Sequence, residues 1–333
     1  MSTPQLRWGI LSTANIGRSS VIPAIQHSRN GTAAAVASRD LAKAHVFADQ
    51  LGIPQVYGSY EELLAADDID AIYIPLPNSM HCEWTIKAAV AGKHILCEKP
   101  LGLNAAECDQ MAAAAEQAGV LLMEAFMYRF HPQTQLVRDL IANGAIGELR
   151  MIKSAFTFRL TNPSNIRLSA ELGGGALMDV GCYCVNVSRT LAGSEPIEAQ
   201  AYAIWADSGV DGQIAGTLRW ANGLLAQFDA ALTLERREAY QAAGVEGYLN
   251  VPSAFVLRND TAYSFTIHKG RQSEDSHSTE PAGEYQLMVE HFADCVLDGV
   301  PLRYPPTEAA ANMRAIEALY RSARNGGQPE PIG

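Results

Sequence analysis

Residues 6–17 read Leu6-Arg7-Trp8-Gly9-Ile10-Leu11-Ser12-Thr13-Ala14-Asn15-Ile16-Gly17. The apolar run of Leu6, Trp8, Ile10 and Leu11 lacks helical periodicity and breaks into small residues. Asn15-Ile16-Gly17 then opens a helical pattern through Val21, Ile22 and Ile25. Strand, tight turn and helix in that order lay a pyrophosphate across backbone N–H groups at a helix N-terminus. The usual fingerprint would place glycine at positions 12, 14 and 17, but here these are Ser12, Ala14 and Gly17. Alone, the turn serves equally well as a buried strand entering an ordinary helix.

The chain around it decides between the two. Residues 32–38 form a second apolar run, followed by a helical pattern through Ala42, Val46, Phe47 and Leu51. Ser59 with Glu62, and Asn104 with Glu107, have the spacing of capping boxes. Runs at 70–75, 93–98 and 120–124 read as further strands, with helices at 81–91 and from Asn104 to Gly119 between them. Strands alternating with helices of this length build a parallel sheet with right-handed crossovers, and ligands bind beyond its strand ends. The first half is therefore read as a dinucleotide-binding Rossmann domain, residues 1–125.

With 333 residues, the chain is long enough for two domains, each with its own core. A hydrophobic content of 48% with 18% charged residues is that of a globular protein rather than a disordered one. The net charge of −11 opposes non-specific nucleic-acid or anionic-membrane binding. MSTPQLRW contains no secretion signal and no apolar run spans a bilayer, so a cytoplasmic location is expected. The six cysteines and eight histidines form no familiar metal-ligand spacing, so no metal is expected and the thiols are read as reduced.

The end of the second strand bears on which dinucleotide is bound. An acid there would suit the ribose hydroxyls of NAD, whereas this chain has Ser38 and Arg39, with Lys43 one turn on. A hydroxyl and a guanidinium suit a 2′-phosphate, and Asp40 is placed to cap the next helix. NADP is favoured, with NAD bound more weakly; solvated charges at a helix start are the competing reading. Two other loops follow strand ends. Pro75-Leu76-Pro77-Asn78 is a stiff turn leading to His81, and Glu98-Lys99-Pro100 offers Lys99 as a positioned cation. A turn lysine, and a helix-start histidine satisfied locally, are the competing readings.

From Glu148 the pattern shifts toward strands. Residues 224–234 alternate in polarity, Asn222-Gly223 is a hairpin turn signal, and 247–251, 255–257 and 263–267 read as strands. Residues 272–284 read as a surface loop, and two helices close the chain near 285–297 and 307–324. The second domain, 126–333, is therefore α+β, with the return of the final helices to the first domain left open. Within it, Gly173-Gly174-Gly175 leads a helix on which Asp179 and Tyr183, four apart, would share one face. A lysine near such a tyrosine favours the phenolate and makes it a general acid or base.

The pieces GILSTANIG, SRDLAKA, PLPNSMH, CEKP, EAFMYRFHP and GGGALMDVGCY resemble, in order, the glucose–fructose oxidoreductase/inositol dehydrogenase (Gfo/Idh/MocA) family. They are most similar to the branch of NADP-dependent D-xylose dehydrogenases and dimeric trans-dihydrodiol dehydrogenases. The resemblance implies a Rossmann domain followed by an open, mostly antiparallel sheet that often forms the oligomer interface, here a homodimer. It places Lys99 near the nicotinamide, a cis peptide at Pro100, and the family's D-x-G-x-[HY] segment on Asp179 and Tyr183. The expected cofactor contacts are Ser12, Thr13, Ala14, Asn15, Ile16, Ser38, Arg39, Lys43, Pro75, Leu76, Asn78, His81, Glu98 and Lys99. Lys99, Asp179 and Tyr183 are the catalytic candidates, and Asn165 and Arg167 join Asp179 and Tyr183 toward substrate. The implied reaction is hydride transfer between nicotinamide and a sugar CH–OH, giving a lactone from an aldose. A trans-dihydrodiol would instead need an apolar pocket, for which Phe126, Tyr128, Phe130, Phe156 and Phe158 are candidates. A non-enzymatic NADP-binding regulator is the third reading.

Overall fold

The computed structural model describes residues 4–270 and 273–333. The chain packs as two units: one runs to Met127 and takes in Gly283–Ala310, and the other comprises Tyr128–Ala282 and Ala311–Gly333. The first unit alternates strand and helix in the order β1 (Leu6–Leu11), α1 (Ile22–His27), β2 (Gly31–Ala37), α2 (Leu41–Leu51), β3 (Gln55–Tyr57) and α3 (Tyr60–Leu64). It continues through β4 (Ala71–Ile74), α4 (His81–Val90), β5 (His94–Cys97), α5 (Ala105–Ala118) and β6 (Leu122–Glu124). The sheet order β3-β2-β1-β4-β5-β6 is wholly parallel. Its strands are almost entirely buried because helices cover both faces. Strand order reverses between β1 and β4, where a doubly wound sheet opens its ligand crevice.

Local chemistry accounts for the helix starts. Ser59 and Asn104 accept the N–H groups of Glu62 and Glu107, while those glutamates bond back to the N–H of Gly58 and Leu103. Each return bond reaches one residue beyond the cap, so the boxes satisfy a donor in the incoming loop. Asp40 caps α2 by accepting the Lys43 N–H at 3.0 Å. The three-residue β3 has too short an apolar pattern to stand out in the sequence.

The second unit begins with α6 (Pro132–Ala142) and β7 (Leu149–Arg159), followed by α7 (Cys182–Ala192), β8 (Glu198–Trp205), β9 (Asp211–Arg219), β10 (Leu225–Ala231) and β11 (Thr233–Gly244). After β12 (Tyr248–Val251), β13 (Tyr263–Lys269) and β14 (Ser273–Thr279) come α8 (Glu284–Asp298), α9 (Pro306–Arg324) and β15 (Glu330–Pro331). Helix α8 belongs to the first unit, where Phe292 packs on Trp8 and Glu290 and Asp294 pair with Arg29. Among the described residues the second sheet has the order β14-β13-β12-β11-β7-β10-β9-β8-β15, antiparallel except for the β7–β10 pair. Helix α7 packs on β7 and β10. The later part of α9 lies against β8, where Ser322 accepts the Ala201 N–H at 3.0 Å.

Two expectations for this sheet are corrected. Residues 273–279 are not loop but the edge strand β14, paired in register with β13; Gln272 lies outside the described residues. The polar side chains at 274–279 are mostly exposed, so the strand buries no apolar face there that a pattern could reveal, and polar edges discourage further pairing. Residues 255–257 are not a strand: the Ala254 N–H donates to Glu238 O and the Val256 N–H to the Glu238 carboxylate. Phe255 is apolar there because it enters the core as a plug from an irregular segment.

Candidate active site

In the first unit, the ends of β1, β2 and β4 meet at Ser12. Its N–H donates to Ala37 O at 2.9 Å, and its hydroxyl donates to Pro75 O at 3.3 Å while accepting the Ala14 N–H at 3.2 Å. Ser12 has φ 101°, the left-handed backbone that glycine adopts in the usual fingerprint. The strain is offset by these hydroxyl bonds, which glycine could not make. The turn thus keeps the phosphate-binding course with a different first residue. The Thr13, Asn15 and Ile16 N–H groups flank Ala14, whose own N–H Ser12 accepts, and lead into a helix whose first turn is widened at Gly17–Val21. First-turn N–H groups have no acceptor within their own helix, which suits them to anionic oxygens.

At the tip of β2, Ser38 is buried and its hydroxyl accepts the Asp40 N–H at 3.2 Å, while Arg39 and Lys43 are exposed. The Arg39 guanidinium lies by the Tyr60 hydroxyl, whose pKa burial raises and the guanidinium draws back. The Asp40 carboxylate is engaged through one oxygen as the cap of α2, while Arg39 and Lys43 offer cationic donors at the same strand end. These donors fit a 2′-phosphate.

The loops after β4 and β5 are fastened to one another. His81 is fully buried, with Nδ1 3.0 Å from Pro100 O and Nε2 2.9 Å from Leu76 O. Burial lowers its pKa, against the pull of the carbonyls. His81 ties the Leu76 loop to the Lys99–Pro100 peptide, which is cis, with both ring nitrogens against backbone carbonyls. Pro75 and Leu76 are likewise buried, while Asn78 and Lys99 are half-buried. Glu98 accepts the Tyr73 hydroxyl at 2.6 Å, and Glu124 accepts the Leu101 N–H at 2.8 Å. Tyr73 and Glu124 escaped the sequence reading because within short strands they resemble ordinary core and strand-end residues.

In the second unit, the glycine-led segment carries the remaining candidates. Leu177–Gly181 is a widened turn with i→i+5 bonds, and α7 starts only at Cys182. Four residues remain close to one turn in a widened helix as in an α-helix, so the spacing of Asp179 and Tyr183 is kept through it. The two side chains have different neighbours. Asp179, with a side chain 12% exposed, pairs with the Arg167 guanidinium at 2.6 Å. Tyr183 is 4% exposed, its ring held by Tyr128, Phe156 and Phe255 at centroid distances of 5.8, 5.3 and 5.5 Å. Tyr128 is itself fixed by its hydroxyl on Asn186 at 2.6 Å. Asn165 caps the Arg167 N–H at 3.1 Å, so its oxygen shapes the loop that presents Arg167.

The aromatics named for an apolar pocket are mostly as buried as Tyr183. Phe126, Tyr128, Phe130 and Phe156 are all core residues, and only Phe158 is half-exposed, with the Arg167 guanidinium 6.0 Å from its ring centre. An aromatic-rich run cannot distinguish a pocket wall from a packed core. Here Tyr128 and Phe156 each pack on Tyr183 and Phe255.

Among the described residues no helix is long and apolar enough to cross a membrane. The family description "Oxidoreductase family, NAD-binding Rossmann fold" matches residues 6–126, and the GFO/IDH/MocA C-terminal domain matches residues 134–250. D-Xylose 1-dehydrogenase (NADP(+)) 2 of Haloferax volcanii is 41% identical over 327 residues, covering 98% of this chain and 99% of that one. Trans-1,2-dihydrobenzene-1,2-diol dehydrogenase of Xenopus laevis is 34% identical over 331 residues, covering 95% and 96%. A 3-ketoreductase from Actinomadura kijaniata, solved in complex with NADP and TDP-benzene, superimposes with a TM-score of 0.91 at 28% identity, covering 96% of this chain and 98% of that one. With both halves matched and relatives spanning nearly its whole length, the chain belongs to the Gfo/Idh/MocA family of oxidoreductases.

Proposed function

We propose that the protein is an NADP-dependent aldose 1-dehydrogenase, oxidising a cyclic sugar of the D-xylose or D-glucose type to its lactone. The observation that carries this reading is the Arg167–Asp179 pair on the segment leading to Tyr183, a charged donor and acceptor suited to vicinal hydroxyls. The tip of β2, with Arg39 and Lys43 exposed and Asp40 engaged as a cap, supports NADP over NAD. The likeness to a D-xylose 1-dehydrogenase supports the substrate class. Oxidation of a trans-dihydrodiol has less support, since the likeness to a trans-1,2-dihydrobenzene-1,2-diol dehydrogenase is 34% identity against 41%.

When bound, the nicotinamide supplies the hydride acceptor. The chain's residues have the rest of the work. Tyr183 takes the proton of the sugar C1 hydroxyl as the C1–H bond breaks and the carbonyl forms. Its ring is locked by three neighbours, so its position costs little ordering at the moment of reaction. Lys99 supplies the positive charge that favours a deprotonated phenol. Arg167 and Asp179 hold the ring hydroxyls that do not react. The working form is a homodimer in the cytoplasm.

The test is turnover of an aldose and diol panel followed by nicotinamide absorbance, in the parent and in Tyr183→Phe. Aldoses are expected to turn over with NADP, and Tyr183→Phe to lower kcat/KM by roughly 10²–10⁴-fold with cofactor affinity retained. Preference for trans-diols, or parent-like activity in the phenylalanine variant, overturns the reading.

A further inference from the structure

Behind the Arg167–Asp179 pair stands a second carboxylate that no local motif marks. Asp211, the first residue of β9, has no solvent exposure. Its Oδ2 accepts the Leu177 N–H at 2.7 Å, and its Oδ1 accepts the Tyr320 hydroxyl at 2.6 Å. Leu177 is the first residue of the widened turn that carries Asp179.

The glycine turn connects this carboxylate to both members of the pair. The Gly175 N–H donates to Arg167 O at 2.9 Å, and Gly175 O accepts the Asp179 N–H at 3.0 Å. One peptide unit on either side of Gly175 therefore fixes Arg167 relative to Asp179. A Cβ at position 174 would lie 2.4 Å from Arg167 O, and one at position 175 would lie 2.2 Å from Asp211 Oδ1. The turn is thus clamped between the Arg167 backbone and the Asp211 carboxylate.

The cost of that arrangement is visible. Burial raises the Asp211 pKa to about 6, against the opposing effect of the Tyr320 hydroxyl, the Leu177 N–H and the more distant Arg324. Tyr320 and Arg324, both on α9, are the titratable and charged side chains that act on it. The Arg324 guanidinium in turn covers the Tyr320 and Trp205 rings at 5.2 and 5.4 Å. Because the folded pKa lies above the ordinary carboxylate value, the charged form is disfavoured by the fold. Ionisation therefore lowers stability as pH rises from about 4 through about 6. A pocket that served stability alone would hold a neutral residue.

We propose that Asp211, steadied by Tyr320, is a positioning residue for the reaction: its carboxylate holds the start of the widened turn so that Asp179 and Arg167 keep the spacing that receives the sugar. This rests on the aldose reading above. Loss of its charge weakens the bond to Leu177, frees the turn and raises KM for sugar more than it changes kcat.

The test is steady-state kinetics with D-xylose and NADP on both sides of pH 6, with amide hydrogen exchange of residues 175–183 measured in parallel. In the parent, KM is expected to rise about tenfold as pH falls through the Asp211 transition, the loss of one charge-assisted bond. Asp211→Asn should show the high KM throughout, with no step. Tyr320→Phe removes a donor that favours the carboxylate, so the step should move to higher pH, and this variant decides the matter should Asp211→Asn not fold. A merely structural role would leave the position of the step unchanged in both variants, and that result overturns the proposal. Exchange protection of the segment should fall below the same pH in the parent and be low at every pH in Asp211→Asn. If exchange responds in this way but no aldose turns over, the substrate reading fails while the anchoring stands. If aldose turnover is normal and exchange is indifferent to Asp211, the anchoring fails alone.

Discussion

At the scale of single residues, the tip of β2 divides its tasks by side-chain type. Asp40 is short and sits where a helix begins, so it caps the Lys43 N–H at 3.0 Å. Arg39, one residue earlier, is too long to cap and stays exposed with Lys43. Arg39→Ala should therefore weaken NADP(H) binding by roughly ten- to a hundredfold, the range for a charge-assisted bond, with NAD(H) little affected. Titration of nicotinamide fluorescence with both cofactors measures this, and equal weakening of the two would remove Arg39 from a 2′-phosphate site. His81 shows the opposite outcome. It lies inside, and both ring nitrogens meet backbone carbonyls of the two neighbouring loops.

Among elements, the segment from the glycine turn to α7 is the most demanding. Gly175 has φ 123°, and a side chain there would meet the buried Asp211 carboxylate and the Tyr320 hydroxyl, 2.2 and 2.9 Å from its Cβ. Gly175→Ala should cost about 2 kcal/mol or more in urea unfolding, from a disfavoured backbone and a displaced buried charge. The surviving folded fraction should have a raised KM. A loss below about 0.5 kcal/mol, the range of an innocuous surface change, would show that the turn relaxes without consequence. The same segment shows what helical spacing leaves unrecorded. A pattern of residue types registers apolar faces, and a widened turn leaves no mark of its own in that pattern. β14 is the complementary case: it is held by its backbone ladder to β13, and its polar side chains record nothing of it.

For the molecule as a whole, the outer face of the second sheet carries the prediction about assembly. Tyr202 and Ile204 on β8 are 64% and 66% exposed, and Leu225 and Tyr248 on other strands of the sheet are exposed as well. Large apolar side chains on one antiparallel face are costly to leave in water, and an isologous contact would cover each with its symmetry mate. Sedimentation equilibrium should give twice the chain's 35.9 kDa at micromolar concentration. Ile204→Glu should shift the balance toward monomer, since it would set like charges against each other across a two-fold axis. A monomer in the parent, or a dimer indifferent to that substitution, would assign the face another role.

The features that the sequence determined by itself are those that depend on neighbours along the chain. The alternation of strands and helices in the first unit, the caps at Ser59, Asp40 and Asn104, the Asn222-Gly223 turn and the charges after β2 all arise from short-range spacing. A degraded glycine fingerprint was still readable because the elements around it demand the same turn. Tertiary structure alone decided that Phe126, Tyr128, Phe130 and Phe156 became core while Phe158 stayed half-exposed, because apolar residues look alike until their partners are known. It alone joined Asp211 to Leu177 and Tyr320, residues separated by 34 and 109 positions. A buried carboxylate is tolerable only where donors converge on it from several elements, and that convergence exists only in the folded chain.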